Sequence, residues 1–470
     1  MRERTTATHT SGWSLCSAGA CEGVTGSAHL LETAGRRVLV DAGMFQGVDD
    51  AANTAPWPFD PRDVDAVVLT HAHLDHVGRL PTLVAAGFRG RVYATEATIA
   101  VAEVILRDAA RIQAEDAQRL RKRLRRAGRR FEYVRPLFDD ADVDASLERM
   151  TPVAFGAHVD LGRGVGMWLG RAGHVLGAAW VVLEGPEGTV LASGDLGDDD
   201  GPLHPPPESP PQVDALLIES TYGERRHRGF AATRAEFADV VQRTIRRGGN
   251  VLVPTFALER TQSVLHTLQE LERAGEVPVA RVVLDAPMGA RMTELYRRHP
   301  STLRQALAVR LVAGDDPFTT EGFEAARSAA ESRALNDARG VIILSGAGMM
   351  SGGRILHHLK HHLWDERNAL VVVGYQAEGT LGRRIVDGAT HVRVMGHTVA
   401  VAAEVHTING FSSHADAPAL DAFRSASGAR VVVPVHGERA SRAALAERAR
   451  ADGATVIEPR LGRRVALAVG

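Results

Sequence analysis

The stretch Leu69 to Leu80, LTHAHLDHVGRL, holds His71, His73, Asp75 and His76 within six positions. Imidazole nitrogens and carboxylate oxygens together suit a divalent transition metal, zinc above all. On a loop after a strand, His71 and His73 can point the same way, as can Asp75 and His76 after a tight turn. One tetrahedral ion could scarcely draw four ligands from six consecutive residues. Two pairs feeding two neighbouring ions is the easier geometry, and each ion then needs distant ligands. The bland alternative is a solvated polar turn.

Candidates for the distant ligands stand at strand ends beside glycine. They are His174 in AGHVLGAAW, Asp195 in SGDLG and His436 in VPVHGE. A carboxylate can bridge two ions, so Asp195 is the natural bridge. Any one of these alone reads as a satisfied polar residue or a cap. Taken with the cluster, they favour a metal centre. No Cys or Ser with a base partner stands out as a nucleophile.

The elements that must position these residues fall into two styles. The first part reads as short strands and glycine turns, with a buried strand ending at Asp41 and another, Val64 to Leu69, running into the histidine cluster. Polar groups at the carboxyl end of a buried strand are where open α/β sheets place ligands. Residues 97–130 read as a helix. Its tail, QRLRKRLRRAGRR, carries Arg119, Arg121, Lys122, Arg123, Arg125, Arg126, Arg129 and Arg130. A solvated helix face is favoured there over an RNA-backbone patch. DDADVDASLERM reads as a short acidic helix. Short strands return from about 152 to 220, interrupted by the stiff loop HPPPESPPQ, and VDALLIESTYG is a buried strand ending at Glu219. From 222 to 401 the rhythm becomes strand, turn, helix, which is doubly wound α/β grammar. Short strands then resume. The expected domains are 1–221 and 402–470 as two parts of one unit, with 222–401 inserted.

The bulk numbers are compatible with this. A chain of 470 residues exceeds the size of one core, so at least two domains are expected. Hydrophobic residues make 44% and charged residues 24%, as in an ordinary soluble globular protein. The net charge of −2 gives no global attraction to nucleic acid, so an anionic partner needs a local patch or metal ions. The two cysteines, Cys16 and Cys21, exclude a disulfide scaffold and suit a reducing cytoplasm. MRERTTATHTSGWSL has no apolar signal region, and no apolar run approaches the ~20 residues of a membrane helix. A cytoplasmic protein with no membrane partner is expected.

THAHLDHVG matches the HxHxDH signature of the metallo-β-lactamase fold, and VLVDAG, AGHVLGA and SGDLG resemble that superfamily's other motifs in order. ESTYG with Glu219, GFSSHAD with His414 and PVHGE with His436 resemble motifs A, B and C of the β-CASP nucleases. PTFALERTQ, SGAGMMSGGRILHHL and GYQAEGTLGRRI are similar to stretches of the β-CASP insertion. The resemblance spans nearly the whole chain and implies an α/β fold, a metallo-β-lactamase αββα sandwich with an inserted doubly wound β-CASP domain. It implies that His71, His73 and His174 hold one Zn2+, and Asp75, His76 and His436 a second, with Mn2+ as the alternative ion. Asp195 would bridge and Asp41 would orient a ligand. The ions would lie about 3.5–4 Å apart, with a hydroxide between them that attacks phosphorus in line. His414 would protonate the leaving oxygen and Glu219 would hold or tune it. RNA is the implied partner, bound in the cleft between the two domains, and a homodimer is the candidate assembly.

Weaker signals lie in the insert. HHLKHH pairs His357 with His361 and His358 with His362; Leu356, Leu359 and Leu363 are expected inward and the histidines toward solvent or the cleft. In GMMSGGR, Gly352 and Gly353 precede a helix and could cradle a phosphate. Ser412, two before His414, could donate to a substrate phosphate, and Arg260 could line the cleft. The competing readings are a small-ester or thioester metallo-hydrolase, which lacks the insert and motifs A and B, and a non-catalytic scaffold of an RNA-processing complex, whose members have lost ligands. Within the nucleases, ribonuclease J carries a further C-terminal domain and archaeal relatives carry N-terminal KH modules, so the compact bacterial form fits best. Histidine at motif C favours RNA over DNA. Endonucleolytic and 5′-to-3′ exonucleolytic modes stay open.

Overall fold

The computed structural model describes residues 12–468 except residue 132. The expected absence of a signal segment concerns mostly residues 1–11, outside the described residues. No described helix is long and apolar enough to cross a membrane. The chain divides into two compact units: Met1–Leu196, Pro207–Arg226 and His414–Gly470 form the first, Gly197–Pro206 and His227–Ser413 the second.

The first unit is built on two seven-stranded sheets. One runs, in spatial order, Arg464–Leu467, Trp13–Ser17, His29–Thr33, Arg36–Val40, Ala66–Val68, Arg91–Ala94 and Met150–Pro152. The other runs Thr455–Val456, Val431–Val435, Ala215–Glu219, Gly188–Ala192, Ala179–Gly185, Val165–Arg171 and Val159–Gly162. The strands alternate with period two, so every second residue faces the opposite sheet. Val431, Val433 and Val435 of one sheet join Leu15, Leu31, Val38, Val40 and Val68 of the other in a single core cluster. Val432 points the other way and is also fully buried, toward the helix layer. Helices Ala417–Ala426 and Arg439–Ala451 pack on that side. This is the expected αββα sandwich.

Strand pairing carries the polar motifs to one end. Ala66–Val68 pairs in parallel with Arg36–Val40 and leads into His71. Ala215–Glu219 pairs in parallel with Val431–Val435 in a register that sets Glu219 against Val435. Glu219 and His436 therefore leave neighbouring strand ends together. Gly188–Ala192 pairs with the other side of Ala215–Glu219, also in parallel, and continues into Asp195. Helix Glu96–Arg126 begins at an N-cap, Thr95, whose hydroxyl accepts from the Thr98 amide. The Thr95 and Thr98 hydroxyls also donate to Gly177 O at 2.8 and 2.9 Å, three residues beyond His174.

The second unit holds a six-stranded sheet in the order Phe323–Ala325, Arg281–Asp285, Val341–Ser345, Val251–Pro254, Ala369–Val372 and Glu404–Thr407. All five pairings are parallel. Parallel strands buried on both faces need apolar runs, and VVL, VIIL, VLV and LVV supply them. This is the doubly wound sheet that the strand-turn-helix rhythm predicts.

The HHLKHH helix differs from expectation. Leu359 and Leu363 are buried, but so are His358 and His362. His358 Nε2 lies 2.7 Å from Asp285 Oδ2, and His362 Nε2 lies 3.0 Å from Leu335 O. The physical reason is Asp285, a fully buried carboxylate at a strand end, which needs compensating donors. His358, Arg354 at 2.5 Å and Ser332 at 2.6 Å supply them. Gly353 has a φ of +75° and closes a tight turn, in which the Ile355 amide donates to Gly346 O.

A second buried network surrounds Glu259. Its backbone sits at φ +69°, a region that favours glycine. Its carboxylate accepts from the Tyr296 hydroxyl, from Ser263 Oγ at 3.1 Å and contacts His204 Nε2 at 2.9 Å. Burial opposes protonation of His204, but Glu259 outweighs it and raises its pKa. The side-chain bonds hold the backbone in its strained conformation. Glu259→Ala should therefore cost about 3–5 kcal/mol, because buried partners lose their acceptor. Glu259→Gly should be about 1 kcal/mol less destabilising than alanine, because glycine accepts the positive φ. Chemical denaturation checks both; an alanine variant as stable as wild type would contradict this account.

Candidate active site

Ten polar side chains from several loops of the first unit converge at the carboxyl ends of its strands. Three groups have ligand atoms all within 4.8 Å of one another: His71, His73, His174 and Asp195; Asp75, His76 and His436; and Asp195, Glu219 and His436. The two oxygens of Asp195 face different groups. Oδ2 lies 3.5 Å from His71 Nε2 and 3.6 Å from His174 Nε2. Oδ1 lies 3.4 Å from His76 Nε2 and 3.6 Å from His436 Nδ1. His73 Nδ1 closes the first group, 3.1 Å from His71 Nε2 and 3.2 Å from His174 Nε2. Asp75 Oδ2 closes the second, 3.6 Å from His436 Nε2.

These residues fit divalent cations. His76 Nε2, His436 Nε2 and Asp195 Oδ1 are buried yet lack a hydrogen-bond partner. Buried polar atoms are rarely orphaned unless an ion or water completes them. The other nitrogen of His76, Nδ1, lies 2.7 Å from Asp41 Oδ2, which fixes the tautomer whose Nε2 carries a lone pair into the site. Burial and the neighbouring imidazoles hold His71 well below its ordinary pKa, in the neutral, ligating form. Burial opposes a proton on His76, yet Asp195 and Asp41 push its pKa up to about 10. The acidic surroundings thus attract positive charge, which a metal cation held by these residues would supply.

The local backbone explains how the loop HAHLDH is held. Asp41, at φ +62°, aims its carboxylate back at the Thr70 amide, 2.8 Å away, and at Thr70 Oγ1, 2.9 Å away. Thr70 Oγ1 in turn lies 3.1 Å from His71 Nδ1. Gly43 passes so close to the Asp75 carbonyl that a Cβ would meet its oxygen at 1.6 Å, so only glycine fits. Beneath the loop, buried Arg79 donates from Nε to Gly43 O and from Nη2 to Ala18 O at 2.9 Å and Gly26 O at 3.2 Å. Its guanidinium lies 4.5 and 4.3 Å from the ring centroids of Phe45 and Trp57. Burial pushes its pKa down to about 10.

His414 stands beside the two groups with its Nδ1 3.3 Å from both Glu219 oxygens and 4.0 Å from Asp195 Oδ2. Glu219 is fully buried and accepts from the Leu196 amide at 2.6 Å and the Thr221 amide at 3.3 Å. Burial would raise the Glu219 pKa, but His414 and Thr221 keep it below the ordinary range. Burial would lower that of His414, but Glu219 and the aspartates raise it.

The structure thus brings together His71, His73, Asp75, His76, His174, Asp195, His436, Asp41, Glu219 and His414. Ser412, Arg260, Gly352 and Gly353 belong to the second unit. Thr70, Thr221, Ser193 and Arg79 escaped the sequence analysis. Thr221 Oγ1 lies 3.2 Å from His436 Nδ1, and Ser193 Oγ accepts from the Glu219 amide at 3.0 Å. Their adjacency to the motifs was the available signal, since Thr70 precedes His71 and Thr221 lies within ESTYG.

Residues 22–286 match the metallo-beta-lactamase superfamily, 261–385 the Beta-Casp domain, and 398–459 the Zn-dependent metallo-hydrolase RNA specificity domain. The chain is 43% identical to Ribonuclease TTHA0252 of Thermus thermophilus over 448 residues, 95% of this chain and 98% of that one. It is 32% identical to the transcription termination factor FttA of Methanocaldococcus jannaschii over 87% of this chain, but spans only 64% of that protein. A solved structure of a protein of unknown function from Enterococcus faecalis shares the fold, with a TM-score of 0.57 at 12% identity, covering 97% of this chain and all of that one. Superfamily membership implies divalent metal binding, and the His and Asp cluster is where it would occur. From its domain matches and its relatives, the chain belongs to the β-CASP nucleases of the metallo-β-lactamase superfamily.

Proposed function

We propose that the protein is a zinc-dependent ribonuclease that hydrolyses RNA phosphodiester bonds with two metal ions. The observation that carries this reading is the two-faced Asp195 carboxylate, set between two ligand groups with the His414–Glu219 pair beside them. His71, His73 and His174 would hold one ion with Asp195 Oδ2; Asp75, His76 and His436 would hold the other with Oδ1. When bound, the ions supply an activated water and neutralise charge on the phosphoryl oxygens. RNA as the substrate is supported by 43% identity to a protein named a ribonuclease across nearly the whole of both chains.

The chain's own groups do the remaining work. Glu219, kept ionised by backbone amides and His414, faces His414 Nδ1 and leaves Nε2 to offer the proton. Glu219 and the aspartates raise the pKa of His414, which favours that proton on the ring. It then passes to the leaving oxygen, and the ring stays neutral with Nδ1–H toward Glu219. Asp41 and Thr70 hold the ligand loop in register, so the phosphate meets a preorganised site.

RNA labelled at either end, with and without a 5′ monophosphate, tests the reading and its mode: internal products mean an endonuclease, mononucleotides alone an exonuclease, and intact RNA in the presence of zinc refutes the proposal. His76→Ala should abolish cleavage while the fold survives; cleavage by that variant after metal depletion would sink the two-metal mechanism. His414→Ala should slow cleavage about 10²–10⁴-fold with metal content unchanged, and loss of zinc there would mean His414 is a ligand. Glu219→Gln removes the main cause of the raised His414 pKa. The acid form is lost as pH rises through that pKa, so the alkaline limb of the kcat profile should move to lower pH; an unmoved limb contradicts the pairing. Asp41→Ala should weaken metal affinity by about 10–100-fold in a chelator competition, and unchanged affinity would remove its assigned role.

A further inference from the structure

We infer that the C-terminal half of the helix Glu96–Arg126 is a docking surface for the RNA phosphate backbone well outside the cleavage site. The inference rests on the ribonuclease reading. Up to Arg119 this helix alternates in charge and pairs internally: Glu103 with Arg107, Asp108 with Arg111, Arg111 with Glu115, Asp116 with Arg119. That is how a helix face built only to be solvated looks. Beyond Arg119 the pattern does not continue. Between Asp116 and Glu132 no acidic residue occurs, while residues 119–130 carry eight basic ones in a chain of net charge −2.

Helical spacing puts Arg119, Lys122, Arg123 and Arg126 on one exposed face. The opposite face, with Ala117 and Leu124, is covered by Val134 and Phe131. Among the described residues, Lys122, Arg123 and Arg126 form no ion pair. Like charges four apart are destabilising in a helix. The helix dipole favours cations only within the last turn, so it explains Arg123 and Arg126 but not Lys122. A single-sign stripe that the fold gains little from is matched by a polyanion. Tyr133, 70% exposed beside this stretch, adds a ring on which a base can stack.

The distance defines which part of the RNA is held. The helix starts where Thr95 and Thr98 bond Gly177, close in sequence to His174. At about 1.5 Å per residue, Arg119 to Arg126 lie roughly 35–45 Å along the axis from that end. At about 3.4 Å per stacked nucleotide, this is on the order of ten nucleotides from the reacting phosphate. The surface would raise affinity for long RNA and leave the chemical step alone.

The test uses the zinc-loaded full chain carrying Lys122→Gln, Arg123→Gln and Arg126→Gln together. Anisotropy with a labelled RNA of about thirty nucleotides is read at several salt concentrations. Single-stranded RNA contributes about 0.7 to the salt slope per phosphate neutralised, so the slope should fall by about 2. KM for the long RNA should rise about tenfold with kcat unchanged, and cleavage of a tetranucleotide should not change. A variant with Lys122→Arg, Arg123→Lys and Arg126→Lys should behave as wild type. An unaltered slope and KM would overturn the inference. So would an unaltered RNA slope with lost binding to a polyglutamate peptide, which would assign the surface to an acidic protein. If the wild type cleaves neither RNA, the ribonuclease reading fails, and the salt slope still decides the surface.

Discussion

A carboxylate buried to 2% exposure cannot keep its charge without compensation, and Asp195 is placed where compensation must come from two sides at once. Four imidazoles lie within 3.6 Å of its oxygens, two on each. Neutral imidazoles cannot neutralise it, and a site full of protonated ones would repel itself. Two divalent cations would resolve the conflict, each held by one carboxylate oxygen and a set of ring nitrogens. The remaining architecture of the first unit keeps these groups from relaxing away from that arrangement.

That rigidity is built from the strands outward. Parallel pairing sets Glu219 next to His436 and delivers Asp195 from the adjoining strand. Left-handed backbone at Asp41 and His436, φ +62° and +49°, turns each chain sharply where a side chain must point back into the site. Arg79 ties the carbonyls of Ala18, Gly26 and Gly43 beneath the ligand loop, and Gly43 allows contact with the Asp75 carbonyl. The second unit uses the same device for different ends: Asp285 and Glu259 are buried carboxylates whose donors pin a turn or a strained residue.

Legibility in the sequence followed how local each signal is. His71, His73, Asp75 and His76 sit within one turn, so their types and spacing already pointed to metal. Strand-end glycine motifs picked out His174, Asp195 and His436, and the doubly wound pattern followed from strand-helix alternation, whereas the αββα sandwich was implied by the resemblance of the motifs to the metallo-β-lactamase fold. The groups that orient the ligands were harder. Thr70 and Thr221 look like ordinary strand-end residues, and their roles depend on carboxylate and imidazole neighbours fixed only in three dimensions. The burial of His358 depends on Asp285, 73 residues away, so helical periodicity alone placed it wrongly. Nor does a glutamate in ALERT announce a positive φ, because the His204 and Tyr296 that support it arrive from other segments.

The central claim is that one carboxylate, Asp195, joins two metal ions. Loading the protein with Mn2+ and recording its electron paramagnetic resonance, alongside the metal content per chain, tests this most directly. The account predicts two ions per chain whose spins are exchange-coupled, with the coupled signal lost in Asp195→Asn. One ion per chain, or two ions giving only the spectrum of isolated Mn2+, would contradict it.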